Sequence, residues 1–149
     1  QSQILQALRG GCGQRGGAAG LAEQQIQRGQ LFVDLPLQLL HLLLHNLIEN
    51  AVKFTPRDGH VDVALGAEGD DVCLRVRDDG IGIPREHHDR IFEKFFAVDA
   101  SRSRSHAGAG IGLYLAREVV SIHAGAIRVE SVPGDGTTFE VRLPLRPRS

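Results

Sequence analysis

A chain of 149 residues with a formal net charge of −1 is long enough for one domain with a real core, and it gives no electrostatic reason to expect nucleic acid or an anionic membrane as partner. With 42% hydrophobic but only 5% aromatic residues, that core must be built from Leu, Val, Ile and Ala. Two cysteines, Cys12 and Cys73, are too few for a metal cluster and point to a reduced compartment, while no apolar run approaches a membrane span and no signal peptide is visible.

The chain begins with Gln rather than Met, as a fragment or processed product does. Six of the eleven residues from Gly10 to Gly20 are glycine. At about 1 kcal/mol each against a helix interior, they make residues 1–30 read as a linker or N-terminal segment, with a short helix over 21–28. The domain proper is placed at 31–149, opening on a strand at 31–33. A helix follows over 37–54, in which Leu40, Leu43, Leu44, Leu47, Ile48, Ala51 and Val52 supply the buried surface. Asn46, Asn50 and Lys53 lie four and three apart and form a polar stripe on that helix, which is costly unless something binds it. Two asparagine amides offer neutral oxygens to a hydrated magnesium ion, and the lysine offers a point charge for phosphate. His41, His45 and Glu49 make a second polar stripe, but without a third neutral ligand it is a solvated face rather than a metal site.

Strands are expected near 60–66 and 72–78, where Val61, Val63, Leu65 and then Val72, Leu74, Val76 alternate with polar residues. Cys73, Arg75 and Arg77 take the outward positions of the second. The turn DDGIGIP from Asp78 to Pro84 follows directly. A short helix near 85–93 leads to Ile91, Phe92, Phe95 and Phe96, apolar at helical spacing and expected in the core. The lid from Ala97 to Ala109 is polar and carries Arg102 and Arg104. It ends in GAGIGL from Gly108 to Leu113, which opens a helix over 110–123 whose free N–H groups suit an anion such as phosphate. Neither glycine turn is a dinucleotide fingerprint, because no strand precedes Gly108 and an Asp precedes the first turn; no Gly-Lys-Ser/Thr of a Walker loop occurs. Strands near 126–132 and 137–143 close the chain. Strands that each bury one face, with helices packed on one side of a mixed or antiparallel sheet, make a two-layer α/β sandwich.

Taken in order, NLIENAVKFTP, DDGIGIP, IFEKFF and GAGIGL resemble the N, G1, F and G2 boxes of the sensor histidine kinase ATP-binding domain, and the similarity runs on through IHAGAIRVESVPGDGTTFEVRLPL to cover roughly residues 31–145. The resemblance implies the Bergerat-type fold shared with gyrase, the Hsp90 chaperones and the MutL proteins, with helices on one face of a mixed sheet. It implies ATP and magnesium as cofactors. Asn50 would hold the metal, Asn46 and Lys53 would face the phosphates, and Phe54 would border the adenine. Asp78 would accept the adenine amino group, with Gly80, Gly82 and Ile83 shaping the pocket floor. Gly108, Gly110, Ile111, Gly112 and Leu113 would present backbone to phosphates, and Thr138 would complete the cofactor contacts.

Where hydrolytic relatives place a glutamate general base this chain has Asn46, which favours phosphoryl transfer to a protein side chain over hydrolysis. The F box departs from the family pattern, Phe96 being followed by Ala97 in place of an arginine; Arg102 and Arg104 are the cations at hand to replace it, and with Asn46 and Lys53 they complete the expected catalytic set. None of the seven histidines stands in a phosphoacceptor motif. The implied activity is therefore transfer of the ATP γ-phosphate to a histidine on a separate dimerisation and phosphoacceptor domain of the parent, which then serves a response regulator receiver domain. The alternative is a nucleotide-binding regulatory module without transfer. No nucleic acid or direct membrane contact is expected, and the domain would be cytoplasmic, whether or not its parent is anchored in the inner membrane.

Overall fold

The computed structural model describes residues 37–98 and 110–145. The expected linker, the helix at 21–28, the strand at 31–33 and most of the lid, with Arg102, Arg104 and Gly108, lie outside the described residues. Four strands, β1 (Val61–Glu68), β2 (Asp71–Asp78), β3 (Ala126–Val132) and β4 (Gly136–Pro144), form one sheet in the order β1-β2-β4-β3. Every neighbouring pair among them is antiparallel, so of the mixed or antiparallel sheet expected these four strands build the antiparallel form, with the helices on one face. Two tight hairpins, β1–β2 and β3–β4, are joined through the central β2–β4 pair, which is itself antiparallel.

Period-two alternation sets the register. Val63, Val76, Phe139 and Val129 face one another across the four strands, and Leu65, Leu74, Val141 and Ile127 form the next rung on the same face. Against this face lie helices α1 (Leu37–Phe54) and α2 (Gly112–Ile122). Leu43, Leu47 and Ala51, each one helical turn from the next, are fully buried, as is Ala116, with Val119 and Val120 nearly so. Phe92 meets Phe139 edge to face at 6.2 Å. The opposite face is polar: Glu140 accepts from Arg75 at 2.8 Å and from Arg142 at 2.9 Å, and Arg142 also reaches Glu68. The Arg75 hydrogen bond, seconded by Arg142, holds the Glu140 carboxyl below its ordinary pKa. Cys73 sits on this face as expected, yet it is buried.

The segment expected as one short helix over 85–93 is two 3-10 turns, Arg85–His87 and Arg90–Phe92, separated where the chain turns at His88 and Asp89. Ile91 and Phe92 are buried, but Phe95 is 73% exposed and does not join the core. Its backbone is left-handed, with φ of 63°, and its N–H donates to the Gly110 carbonyl at 2.9 Å. No helix among the described residues is long and apolar enough to cross a membrane.

Candidate functional site

The apolar rungs of the sheet give way at one end to a polar one. There the register lines up Asp78 of β2, Thr137 of β4 and Ser131 of β3 on the inner face, with Val61 of β1 completing the row. Asp78 is 3% exposed and Thr137 6%. Polar side chains so deep are costly unless they are hydrogen-bonded, and these are. The Asp78 carboxylate accepts the Gly80 N–H at 2.9 Å and the backbone N–H of Thr137. Burial raises the Asp78 pKa above the ordinary carboxylate value; the two N–H groups oppose that shift and the neighbouring Asp79 adds to it. Two N–H partners leave lone pairs of the carboxylate free for a ligand donor.

The loop after Asp78 is fastened on both sides. Ile81 donates to the Phe54 carbonyl at 3.2 Å, and Gly80 lies so close to that carbonyl that a side chain there would collide with it. On the other side Gly82 packs on the backbone of Val132 and Pro133, Gly134 donates to the Ile81 carbonyl, and Ile83 donates to the Ser131 hydroxyl at 2.7 Å. His88 holds the Ile83 carbonyl at 3.0 Å. Gly136, at φ of 104°, crosses directly over the backbone of Asp78, which no residue with a β-carbon could do. Asp79 faces the other way and ties this loop to the start of β1, accepting the His60 N–H at 2.7 Å and pairing with its imidazole at 3.2 Å. The hydrogen bond from the His60 backbone is the main cause of its lowered pKa.

Helix α1 brings the asparagine stripe to the same end. Asn46 donates its amide N–H to the Leu42 carbonyl at 2.8 Å, so its Oδ1 turns toward Gly112, the first residue of α2. Gly112 is the close approach between the two helices. Asn50 is half-buried and its side-chain amide makes no hydrogen bond within the described residues, leaving a neutral oxygen free for a cation that keeps its own waters. Lys53, half-buried on the same stripe, holds its ammonium 5.3 Å over the Phe54 ring. His45 is paired with Glu49 at 3.3 Å, and no cluster of three His, Cys, Asp or Glu able to hold a metal occurs among the described residues. Gly110 packs against the backbone of Phe95 and Phe96, and Ile111 and Leu113, half-buried, flank the opening of α2.

One end of the domain thus collects Asn46, Asn50, Lys53 and Phe54 from α1, Asp78 to Ile83 from the loop, and Gly110 to Leu113 from the start of α2. Thr138 does not belong with them. It pairs with Arg77 and Glu130 across the strands and so lies on the outer face; Thr137, one residue earlier, fills the inward place. Thr137, Ser131 and Gly136 were not expected from the sequence. The alternation that marks Phe139, Val141 and Leu143 as inward, carried back by two, reaches Thr137, as the same step from Ile127 and Val129 reaches Ser131.

Residues 36–147 match the family described as histidine kinase-, DNA gyrase B-, and HSP90-like ATPase. Among curated relatives, the sensor histidine kinase WalK of Bacillus subtilis is 36% identical over 118 residues, 78% of this chain and 19% of its own length. The circadian input-output histidine kinase CikA of Synechococcus elongatus is 43% identical over 135 residues, covering 82% and 18%. The chain therefore spans about a fifth of each of these relatives. Among solved structures, the mycobacterial sensor histidine kinase MprB superposes with a TM-score of 0.63 at 32% identity, covering 74% of this chain and 73% of that one. Full-length ShkA in complex with AMPPNP gives the same TM-score and identity over 74% of this chain and 22% of its own. With a family model matching three quarters of its length and a fold and site arranged as above, the chain belongs to the histidine kinase-, DNA gyrase B-, and HSP90-like ATPase family.

Proposed function

We propose that the chain is the ATP-binding catalytic domain of a sensor histidine kinase, which hands the γ-phosphate to a histidine of a separate acceptor domain in its parent, and through it to a response regulator. The observation that carries the reading is the buried Asp78 carboxylate, anchored by two backbone N–H groups with its remaining lone pairs free to accept an amino group such as that of adenine. AMPPNP in the ShkA complex supports an adenine nucleotide as the ligand. Asn50 would hold magnesium, which when bound neutralises phosphate charge, and Lys53 would supply a cation on the same stripe. The N–H groups at the start of α2 would receive phosphate oxygens.

Asn46 decides between transfer and hydrolysis. A carboxamide cannot take a proton from water, and this one has its N–H committed to Leu42. With an amide at position 46 in place of a base to activate water, the attacking atom is an imidazole nitrogen of the acceptor; it forms a bond to the γ-phosphorus as the bond to the β,γ-bridging oxygen breaks and ADP leaves. The test is calorimetric titration with ATP and GTP, followed by γ-phosphate transfer to the parent's acceptor domain added in trans. Wild type should prefer ATP and transfer only when the acceptor is present, and Asp78→Asn should bind ATP at least tenfold more weakly while remaining folded. Equal affinity for ATP and GTP in both proteins would defeat the pocket assignment, and steady ATP hydrolysis without acceptor would defeat the transfer reading.

A further inference from the structure

The polar rung holds a hydrogen-bond relay whose direction can be worked out by counting hydrogens. Ser131 Oγ has three neighbours: the Ile83 N–H at 2.7 Å, the Gly136 carbonyl at 2.8 Å and the Thr137 hydroxyl at 2.8 Å. A carbonyl only accepts, so the single hydrogen of Ser131 points to Gly136. A backbone N–H only donates, so Ile83 occupies one Ser131 lone pair. Thr137 must then donate into the other, and Ser131 is saturated, with one hydrogen and two lone pairs for three partners. The consequence falls on Thr137. Its hydroxyl has no hydrogen left to give and keeps lone pairs alone, in the same rung as an Asp78 carboxylate that also only accepts.

We propose that Ser131 makes this pocket select an amino group over a keto group at the purine 6-position, by holding the Thr137 hydroxyl as an acceptor. The inference rests on the nucleotide reading above. A 6-amino purine offers hydrogens to a wall of acceptors. A 6-keto purine can still give its N1–H to Asp78, but its oxygen then needs a donor, and Thr137 cannot supply one while its hydrogen is committed to Ser131. A buried acceptor set against an acceptor is penalised rather than merely unrewarded. Ser131 touches no ligand itself; it is a positioning residue acting through Thr137.

The test uses ADP and inosine diphosphate, which differ at the 6-position and in the N1 proton that follows from it and lack the extra 2-amino group of guanine. Affinities for both are measured by calorimetry on the whole chain. Ser131→Ala frees the Thr137 hydroxyl to rotate and donate, and the ADP preference should fall about tenfold, the worth of one hydrogen bond, chiefly through tighter inosine diphosphate binding. Ser131→Thr keeps the hydroxyl and should keep the preference. In a Thr137→Val background, which has no hydroxyl to reorient, Ser131→Ala should leave the ratio where it stands. If Ser131→Ala does not fold, Ser131→Cys, whose thiol forms weaker bonds in the same space, is read by the same ratio. An unchanged ratio in a folded Ser131 variant that still binds ADP would overturn the inference, as would an equal fall in the Thr137→Val background. Failure of the wild-type chain to bind ADP would overturn the nucleotide reading itself, and this inference with it.

Discussion

Gly112→Ala should leave the domain's stability nearly unchanged and damage its site. A β-carbon on Gly112 would stand 2.9 Å from Asn46 Oδ1, closer than two such atoms can remain. Asn46 would have to rotate, giving up its 2.8 Å hydrogen bond to the Leu42 carbonyl, at a cost of about 1 kcal/mol. Against this, alanine is preferred to glycine in a helix by about 0.5–1 kcal/mol, toward the lower end at a first helical position. The two terms nearly cancel, so the urea midpoint should correspond to a loss of no more than about 1 kcal/mol. Nucleotide affinity should nevertheless drop about tenfold, because Asn46 no longer faces the start of α2. The double-mutant cycle separates the terms. In an Asn46→Ala background the obstruction is gone, and Gly112→Ala should stabilise by about 0.5 kcal/mol, a coupling near 1 kcal/mol. Urea melts of the four proteins and calorimetric titration of magnesium ATP provide the readouts. Equal effects of Gly112→Ala in both backgrounds, or wild-type affinity in the single variant, would refute the claim that these two residues define the helix contact.

Three further outcomes follow from the same geometry. Ala124 is left-handed at φ of 54° without being glycine, so Ala124→Gly should stabilise by about 0.5–1 kcal/mol and raise the thermal midpoint by about 2–4 °C, checked by calorimetry. Asn50→Ala removes an amide with no hydrogen-bond partner among the described residues, so stability should stay within about 0.5 kcal/mol while the magnesium dependence of ATP binding is lost, read from titrations with and without the metal. The Asp79 carboxyl is held below its ordinary pKa when folded, so its contribution is complete above the unfolded value and is lost as pH falls through the folded one; Asp79→Asn should therefore be less stable than wild type at neutral pH, with the gap closing in acid, measured as urea midpoints against pH.

Much of this domain can be read from residue order. The 37–54 helix lies where its apolar spacing puts it, and all four described strands fall within two residues of the limits expected from alternation. Glycine clusters identified the loop after Asp78 and the opening of α2 because close backbone approach restricts residue choice severely. Phe95 was misread because an apolar pair at helical spacing looks the same whether it is buried or not; only the hydrogen bond to Gly110, distant in sequence, turns its backbone left-handed and its ring outward. Thr137 and Ser131 escaped notice for a related reason. Hydrophobic alternation announces the inward positions of a strand until a polar residue takes one of them, and then the pattern stops being conspicuous at the point where the strand enters the site. The error over Thr138 is of the same kind, since two adjacent threonines cannot be told apart by composition, only by counting the period through them.

The bond between the Phe95 N–H and the Gly110 carbonyl has a bearing on how this domain can change over time. The Phe95 N–H and the Gly110 carbonyl are in contact, so the segment numbered between them starts and finishes at two points already joined. Lengthening a segment whose ends are so joined is cheap, a doubling costing only about 0.6 kcal/mol in closure entropy. Changes of length or charge between positions 95 and 110 can therefore suit a new partner while the residues around Asp78 stay as they are.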